Sequence, residues 1–166
     1  MKIRFWSIWG FLLLTAFALH PNIMLAQNGD IDSLKNIVQA VPKDTTKVSA
    51  LNALCLEYIQ LGEFDQAKGY ADQAIILAEQ LDYKKGRAYA LKNKGLAVYY
   101  QGKYKDVLEN WTQSLQTFEA IKDTLGVANL ASNLGAIYYN LGSHARALDY
   151  YLKSLDISQK LGDPVR

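Results

Sequence analysis

The sequence is poor in the residues that build metal and redox sites, with one cysteine and two histidines among 166 residues. Cys55 has no second cysteine with which to form an internal disulfide, and no pair of histidines or cysteines has the spacing of a metal site. We therefore expect no metal and no cofactor. A domain without such cross-links must be held together by packing.

The chain also lacks an excess of one charge. It has 18 basic and 16 acidic residues, and Lys2 and Arg4 fall in a predicted leader, so the remainder carries 16 of each. A balanced chain gives no electrostatic signal for nucleic acid. Catalytic groups are equally hard to assemble, because His144 is the only histidine beyond that leader and the glycine spacing of a phosphate loop is missing. The sequence predicts a protein that is not an enzyme.

No apolar run in the N-terminal region is long enough to span a bilayer, since residues 5–19 fall short of the roughly 20 that a membrane helix needs. This run follows Lys2 and Arg4 and precedes the small residue Ala26, which is the order found in a secretory signal peptide. We predict a signal peptide over residues 1–26, cleavage after Ala26, and an exported, periplasmic or extracytoplasmic protein. A membrane contact is expected only from an uncleaved anchor or a downstream membrane helix.

A glycine step recurs in the rest of the chain at a fixed interval. Gly62, Gly102 and Gly142 are 40 residues apart, and an aromatic residue or a histidine follows each two positions later. Apolar residues on both sides are spaced three and four apart, as on one face of a helix. Glycine tolerates the left-handed conformation that ends a helix. Each block therefore predicts two helices, which bury their shared face only by stacking on the next pair.

Residue size follows the same period. Small residues recur at Cys55, Gly95 and Gly135, and again at Ala74, Ser114 and Ser154, whereas Trp111 and Tyr151 share a position with Ala71. Small residues allow helices to approach closely. The predicted fold class is all-α, a solenoid of stacked antiparallel helix pairs.

The third block resembles the tetratricopeptide repeat family. The residues that carry the resemblance are Leu134, Gly135, Tyr138, Gly142, Ala147, Tyr151 and Ser154. The family implies a right-handed superhelix. Its usual unit is about 34 residues, and the longer period here is similar to that of kinesin light chain and the LGN-type adaptors. The blocks depart from the pattern at His144, at Cys55, at Val107 and Ser114, and at Lys94, where leucine is expected.

The ends of the stack give the predicted domain limits. Moving back one period places a capping helix and connector at 27–47, with Asp30 or Asp32 as its N-cap and Pro42 beyond its end. Three repeats follow at about 48–87, 88–127 and 128–166. The last helix, 144–161, has no polar capping helix after it. A chain that continues beyond Arg166 is favoured over a face that packs on a second copy.

One stripe on the first helix of each block is predicted to face the inside of the superhelix. The residues of this stripe that are predicted to bind a ligand are Asn52, Tyr89, Lys92, Asn93, Tyr100, Asn129, Ser132, Asn133 and Asn140. Asparagine offers both a donor and an acceptor to a peptide backbone, and tyrosine adds flat area with a polar tip. In the long-repeat proteins that the chain resembles, an asparagine at the place of Asn93 and Asn133 contacts bound peptide. Lys92 alone supplies too little positive charge for a carboxylate clamp.

These features predict a protein–protein interaction scaffold that binds a peptide or protein segment in the groove and no nucleic acid. The alternative, suggested by resemblance to bacterial regulators, is the extracytoplasmic sensory part of a histidine kinase, an adenylate cyclase or a LuxR-type regulator. Its output domain would lie beyond Arg166. A third possibility is self-association through the uncapped last helix.

Overall fold

The structure is a computed structural model that describes residues 20–162, with side chains from residue 30 onward. This part of the chain contains seven α-helices and no strand. They are α1 (His20–Ala40), α2 (Thr45–Gln60), α3 (Phe64–Gln80), α4 (Lys84–Tyr100), α5 (Tyr104–Ala120), α6 (Thr124–Asn140) and α7 (His144–Leu161). Residues 1–19 of the predicted signal peptide lie outside the described residues, so export and cleavage stay predictions.

The helices stack in chain order. The pairs α2/α3, α4/α5 and α6/α7 pack within themselves, and each second helix also packs on the first helix of the next pair. These pairs are the three blocks of the 40-residue period. The predicted all-α solenoid of stacked helix pairs is therefore confirmed.

The turn inside each pair is built the same way. Gly62, Gly102 and Gly142 have φ of +78°, +72° and +73°, the left-handed conformation that the sequence predicts for them. The amide of the following residue closes the turn, as where Lys103 N–H donates to the carbonyl of Val98 at 3.0 Å. This is the hydrogen bond of a Schellman ending, which satisfies a carbonyl that the helix leaves free.

The turns between pairs adopt the same conformation without glycine. Asp82 and Lys122 have φ of +48° and +57°, which costs a non-glycine residue roughly 1–2 kcal/mol. We expect Lys122→Gly to raise the free energy of unfolding by about 1 kcal/mol, part of the gain being offset by the greater freedom of glycine in the unfolded chain. Thermal unfolding followed by circular dichroism measures the change.

Gly142→Ala is the matched control for that substitution. A Cβ at Gly142 would meet no atom within 4 Å, so this variant tests backbone conformation alone. Its free energy of unfolding is expected to fall by about 1 kcal/mol, because alanine is strained in the left-handed conformation. Lys122→Gly relieves the same strain. If both variants unfold at the temperature of the parent, left-handed strain has no measurable role in these turns.

Large and small residues meet inside the second and third pairs. A Cβ built on Gly95 would lie 2.2 Å from the ring of Trp111, and one on Gly135 would lie 2.8 Å from the ring of Tyr151. The aromatic ring of each second helix thus occupies the space left by a glycine on the first. In the first pair the same positions hold Cys55 and Ala71, both fully buried.

The first described helix differs from the prediction at its start. Helix α1 is described from His20 onward, and its helical turns continue through Gly29, so neither Asp30 nor Asp32 is its N-cap. Its packing is that expected of a second helix: Ile31 is 5% exposed and lies with Leu54 in a cluster on α2. Helix α2 has its own N-cap, Asp44, whose side chain accepts a hydrogen bond from the amide of Lys47 at 3.1 Å.

The face of α7 that points away from the stack is open. Trp111 is 4% exposed, but Tyr151, one period later, is 39% exposed. Leu148 and Leu152 are 57% and 52% exposed on the same helix. Self-association through this helix stays a prediction.

Candidate peptide-binding groove

The first helices α2, α4 and α6 carry the predicted binding residues, and the spacing between these helices decides which of them are accessible. Helix α2 packs directly along α4, whereas α4 and α6 make no comparable backbone contact. The predicted stripe is therefore closed in one part and open in the other.

Asn52 and Asn93 belong to the closed part, at 9% and 2% exposed. Asn52 Nδ2 donates to the carbonyl of Gly86 at 3.2 Å, and Asn93 Nδ2 lies 3.4 Å from Asn52 Oδ1. Asn93 Oδ1 is buried without a hydrogen-bond partner among the described residues. The prediction that both side chains are open to a ligand is wrong, because they link α2 to α4.

The surface between α4 and α6 differs from the one between α2 and α4. Tyr89 stands one period after Ser49, and its ring packs edge-on against Phe118 of α5 at 5.1 Å between centroids. Asn133, one period after the buried Asn93, is exposed. We call the surface between α4 and α6 the groove. Its predicted residues are Tyr89, Lys92, Tyr100, Asn129, Ser132, Asn133 and Asn140.

The α6 side of the groove is a row of free polar groups. Asn129, Ser132, Asn133 and Asn140 are all exposed. Hydrogen bonds found among the described residues involve none of their side chains. Their donors and acceptors are therefore available to a ligand.

Lys92 is the cation on the α4 side. Its Nζ lies 5.1 Å from the centre of the Tyr89 ring, within the range of a cation–π contact. Burial lowers the pKa of Lys92, and none of the ion pairs in the described part of the chain includes it. A ligand carboxylate or carbonyl oxygen placed here would meet a partly desolvated positive charge.

Tyr100 of the predicted stripe belongs to an aromatic cluster at the end of α4. Tyr100 is 56% exposed and stacks on Phe64 of the first pair, with centroids 5.3 Å apart. Tyr99 meets Tyr100 edge-on at 5.5 Å. The signal in the sequence was the glycine step itself, since Phe64 follows Gly62 and Tyr100 precedes Gly102.

The remaining reactive group is enclosed. Cys55 is fully buried, and that burial raises its pKa to about 12. The thiolate needed for a nucleophile is therefore not formed near neutral pH. Across the described residues there is no group of three or more His, Cys, Asp or Glu side chains that could hold a metal ion.

Residues 127–161 match the tetratricopeptide repeat family. The third helix pair, α6/α7, is a tetratricopeptide repeat. The first two helix pairs share its period and the conformation of its turn.

A curated protein is similar to this chain in sequence. The photosystem I assembly protein Ycf3 of Acaryochloris marina is 30% identical over 97 residues, which are 58% of this chain and 57% of that protein. The chain thus spans just over half the length of this curated relative.

Two solved structures share the fold at lower identity. Aspartyl phosphate phosphatase F of Bacillus subtilis has a TM-score of 0.73 and 19% identity, covering 82% of this chain and 36% of its own. A Rap protein complexed with competence and sporulation factor has a TM-score of 0.75 and 18% identity, covering 82% and 38%. Within residues 20–162, no helix is both long and apolar enough to cross a membrane.

Proposed function

We propose that this tetratricopeptide-repeat chain is a non-catalytic scaffold that binds an extended peptide or protein segment in the groove between α4 and α6. The observation that carries the proposal is the row of exposed amides on α6, Asn129, Asn133 and Asn140, together with Tyr89 and Lys92 on the preceding first helix, α4. An extended peptide offers the alternating N–H and C=O groups that such amides pair with. The relatives support a binding role, since one is named an assembly protein and one was solved with a bound factor.

The composition of the groove limits the ligand. Its predicted residues include one lysine and no carboxylate. A neutral or acidic segment can therefore bind, whereas a strongly basic segment would find no negatively charged partner. Tyr89 and Tyr100 add aromatic surface on which an apolar ligand side chain can lie.

Substitution of the amide row tests the proposal. We expect Asn129→Ala/Asn133→Ala to weaken binding of groove peptides by about thirtyfold, since each lost hydrogen bond contributes about 1 kcal/mol. The peptides come from a display library of random short sequences selected on the parent chain, and fluorescence anisotropy measures their affinity. Alanine favours helix over asparagine, so the loss would not come from unfolding.

Asn36→Ala is the matched control, because Asn36 is an exposed asparagine on α1, away from the groove. This variant should bind the selected peptides as the parent does. Equal affinity of the double variant and the parent for every selected peptide would refute the groove as the binding surface.

Export of the protein remains part of the proposal. It is supported by Lys2, Arg4 and the apolar residues 5–19. The sensory-domain alternative rests on resemblance alone, and none of the structural observations favours it over the scaffold.

A further inference from the structure

The opposite face of α4 lines a second depression. The second helices of the first two repeats, α3 and α5, flank a cavity of about 620 Å³, within the usual size of a ligand site. Leu91, Lys94 and Val98 of α4 contribute to its lining. We call this cavity the outer cleft. On a helical wheel these residues are about half a turn away from Tyr89 and Lys92, so the groove and the outer cleft are separate surfaces.

The lining of the outer cleft is specific to the junction of the first two repeats. Lys94 stands at the position of Leu54 and Leu134, both fully buried. Lys94 Nζ is paired with Asp72 Oδ1 at 2.7 Å, and the two side chains are 25% and 41% exposed. A partly buried ion pair is weak evidence of a stability role, since apolar residues often replace one at no loss. The departure from leucine therefore calls for another explanation.

An exposed aliphatic side chain lies at the same cleft. Ile76 of α3 is 57% exposed and lines it together with Ile75. One and two periods later the position of Ile76 holds Gln116 and Asp156. A polar residue is thus compatible with this helix position, and the isoleucine is confined to the repeat that borders the outer cleft.

Some of the charged side chains that line the outer cleft have no partner of opposite charge. Arg87 pairs with Glu79 at 2.8 Å, and Lys94 pairs with Asp72. This leaves Asp106 and Glu109 on the α5 wall, which form no ion pair with any described residue. Lys68 is similarly unpaired on the α3 wall. The α5 wall therefore carries negative charge that no described cation neutralises.

We propose that the outer cleft is a second docking site, for a short amphipathic segment of a partner protein with an aliphatic side chain and a neighbouring lysine or arginine. The aliphatic side chain packs on Ile76 and the half-buried Ile75, above the buried Leu91 and Val98. The basic side chain pairs with Asp106 and Glu109. The scaffold then holds two different segments at once, one on each side of α4.

Charge reversal at the acidic wall tests the assignment. We expect Ile76→Gln/Glu109→Lys to weaken the binding of outer-cleft peptides at least roughly tenfold, since like charges face each other and an apolar contact is lost. The probe is a display library of random short peptides, selected at low salt on the full chain. Both substituted side chains are exposed, and glutamine is the residue that the next repeat has at the position of Ile76, so the fold should be retained.

Asp149→Lys is the control, because Asp149 is exposed one period after Glu109 and lies outside the outer cleft. The proposal predicts a class of peptides with an aliphatic and a basic residue that Ile76→Gln/Glu109→Lys loses and that both Asp149→Lys and Asn129→Ala/Asn133→Ala retain. It is overturned if no such class is selected, or if Asp149→Lys loses the class equally. Peptides lost only by the Asn129→Ala/Asn133→Ala variant would support the groove and count against the outer cleft.

Discussion

Replacing Trp111 by alanine is expected to lower the free energy of unfolding by about 4 kcal/mol. Trp111 is 4% exposed, lies against Gly95, and donates its indole N–H to the carbonyl of Lys92 at 2.9 Å. Its removal leaves a cavity between α4 and α5 and a carbonyl without its partner. Urea unfolding followed by circular dichroism measures the loss.

Because Trp111 lies against Gly95, substitutions at the two positions should affect stability together. Gly95→Ala is expected to lower the free energy of unfolding by about 2 kcal/mol, because a Cβ 2.2 Å from the Trp111 ring overpacks the site. The higher helix propensity of alanine offsets only part of this loss. In the double variant Gly95→Cys/Trp111→Ala, the pair becomes the cysteine and alanine that Cys55 and Ala71 form in the first repeat.

That double variant should be more stable than the summed effects of Gly95→Cys alone and Trp111→Ala alone predict, by at least about 1 kcal/mol. Additive losses would mean that the glycine and the tryptophan do not interact in the folded protein. They would contradict the packing rule inferred for the repeats.

Phe118→Ala is expected to be comparably destabilising, by about 4 kcal/mol. Phe118 is fully buried, its ring lies where a Cβ of Gly126 would be, and it meets Tyr89 edge-on. It therefore joins α5 both to α6 and to α4. Because α6 contacts the preceding repeats chiefly through α5, the third repeat should open first. Hydrogen exchange is expected to show the largest loss of amide protection in α6 and α7.

Phe118→Leu is the control, since it keeps an apolar side chain at the junction and should lose less than half as much stability. Equal loss of protection along all seven described helices in Phe118→Ala would contradict local opening. It would indicate that the repeats unfold as one cooperative unit.

Most of the fold could be predicted from the repeat period. Gly62, Gly102 and Gly142 could be predicted as helix ends because their conformation depends on neighbours in sequence. The sequence shows Gly95 and Trp111 as a small and a large residue of the repeat, and only the structure shows that the ring of one lies against the other. The start of α1 could not be predicted in this way, because an aspartate at Asp30 or Asp32 marks a helix start only if the preceding residues are not helical.

The candidate site was predicted less well, for a physical reason. The period shows which face of a helix a residue occupies, but it does not show how far away the next first helix lies. Asn93 and Asn133 are equivalent in sequence, yet one is buried and the other exposed. Lys94 is a related case: the sequence marks it as a misfit for leucine, and only the structure pairs it with Asp72.

The spacing between neighbouring first helices is not the same along the stack. Helix α2 packs along α4, whereas α4 and α6 make no comparable contact, although the turns inside the pairs share one conformation. The surface offered to a ligand can therefore differ from one junction to the next while the residues that end the helices stay the same. Ligand selectivity in such a chain can thus diverge without any change in the residues that make it fold.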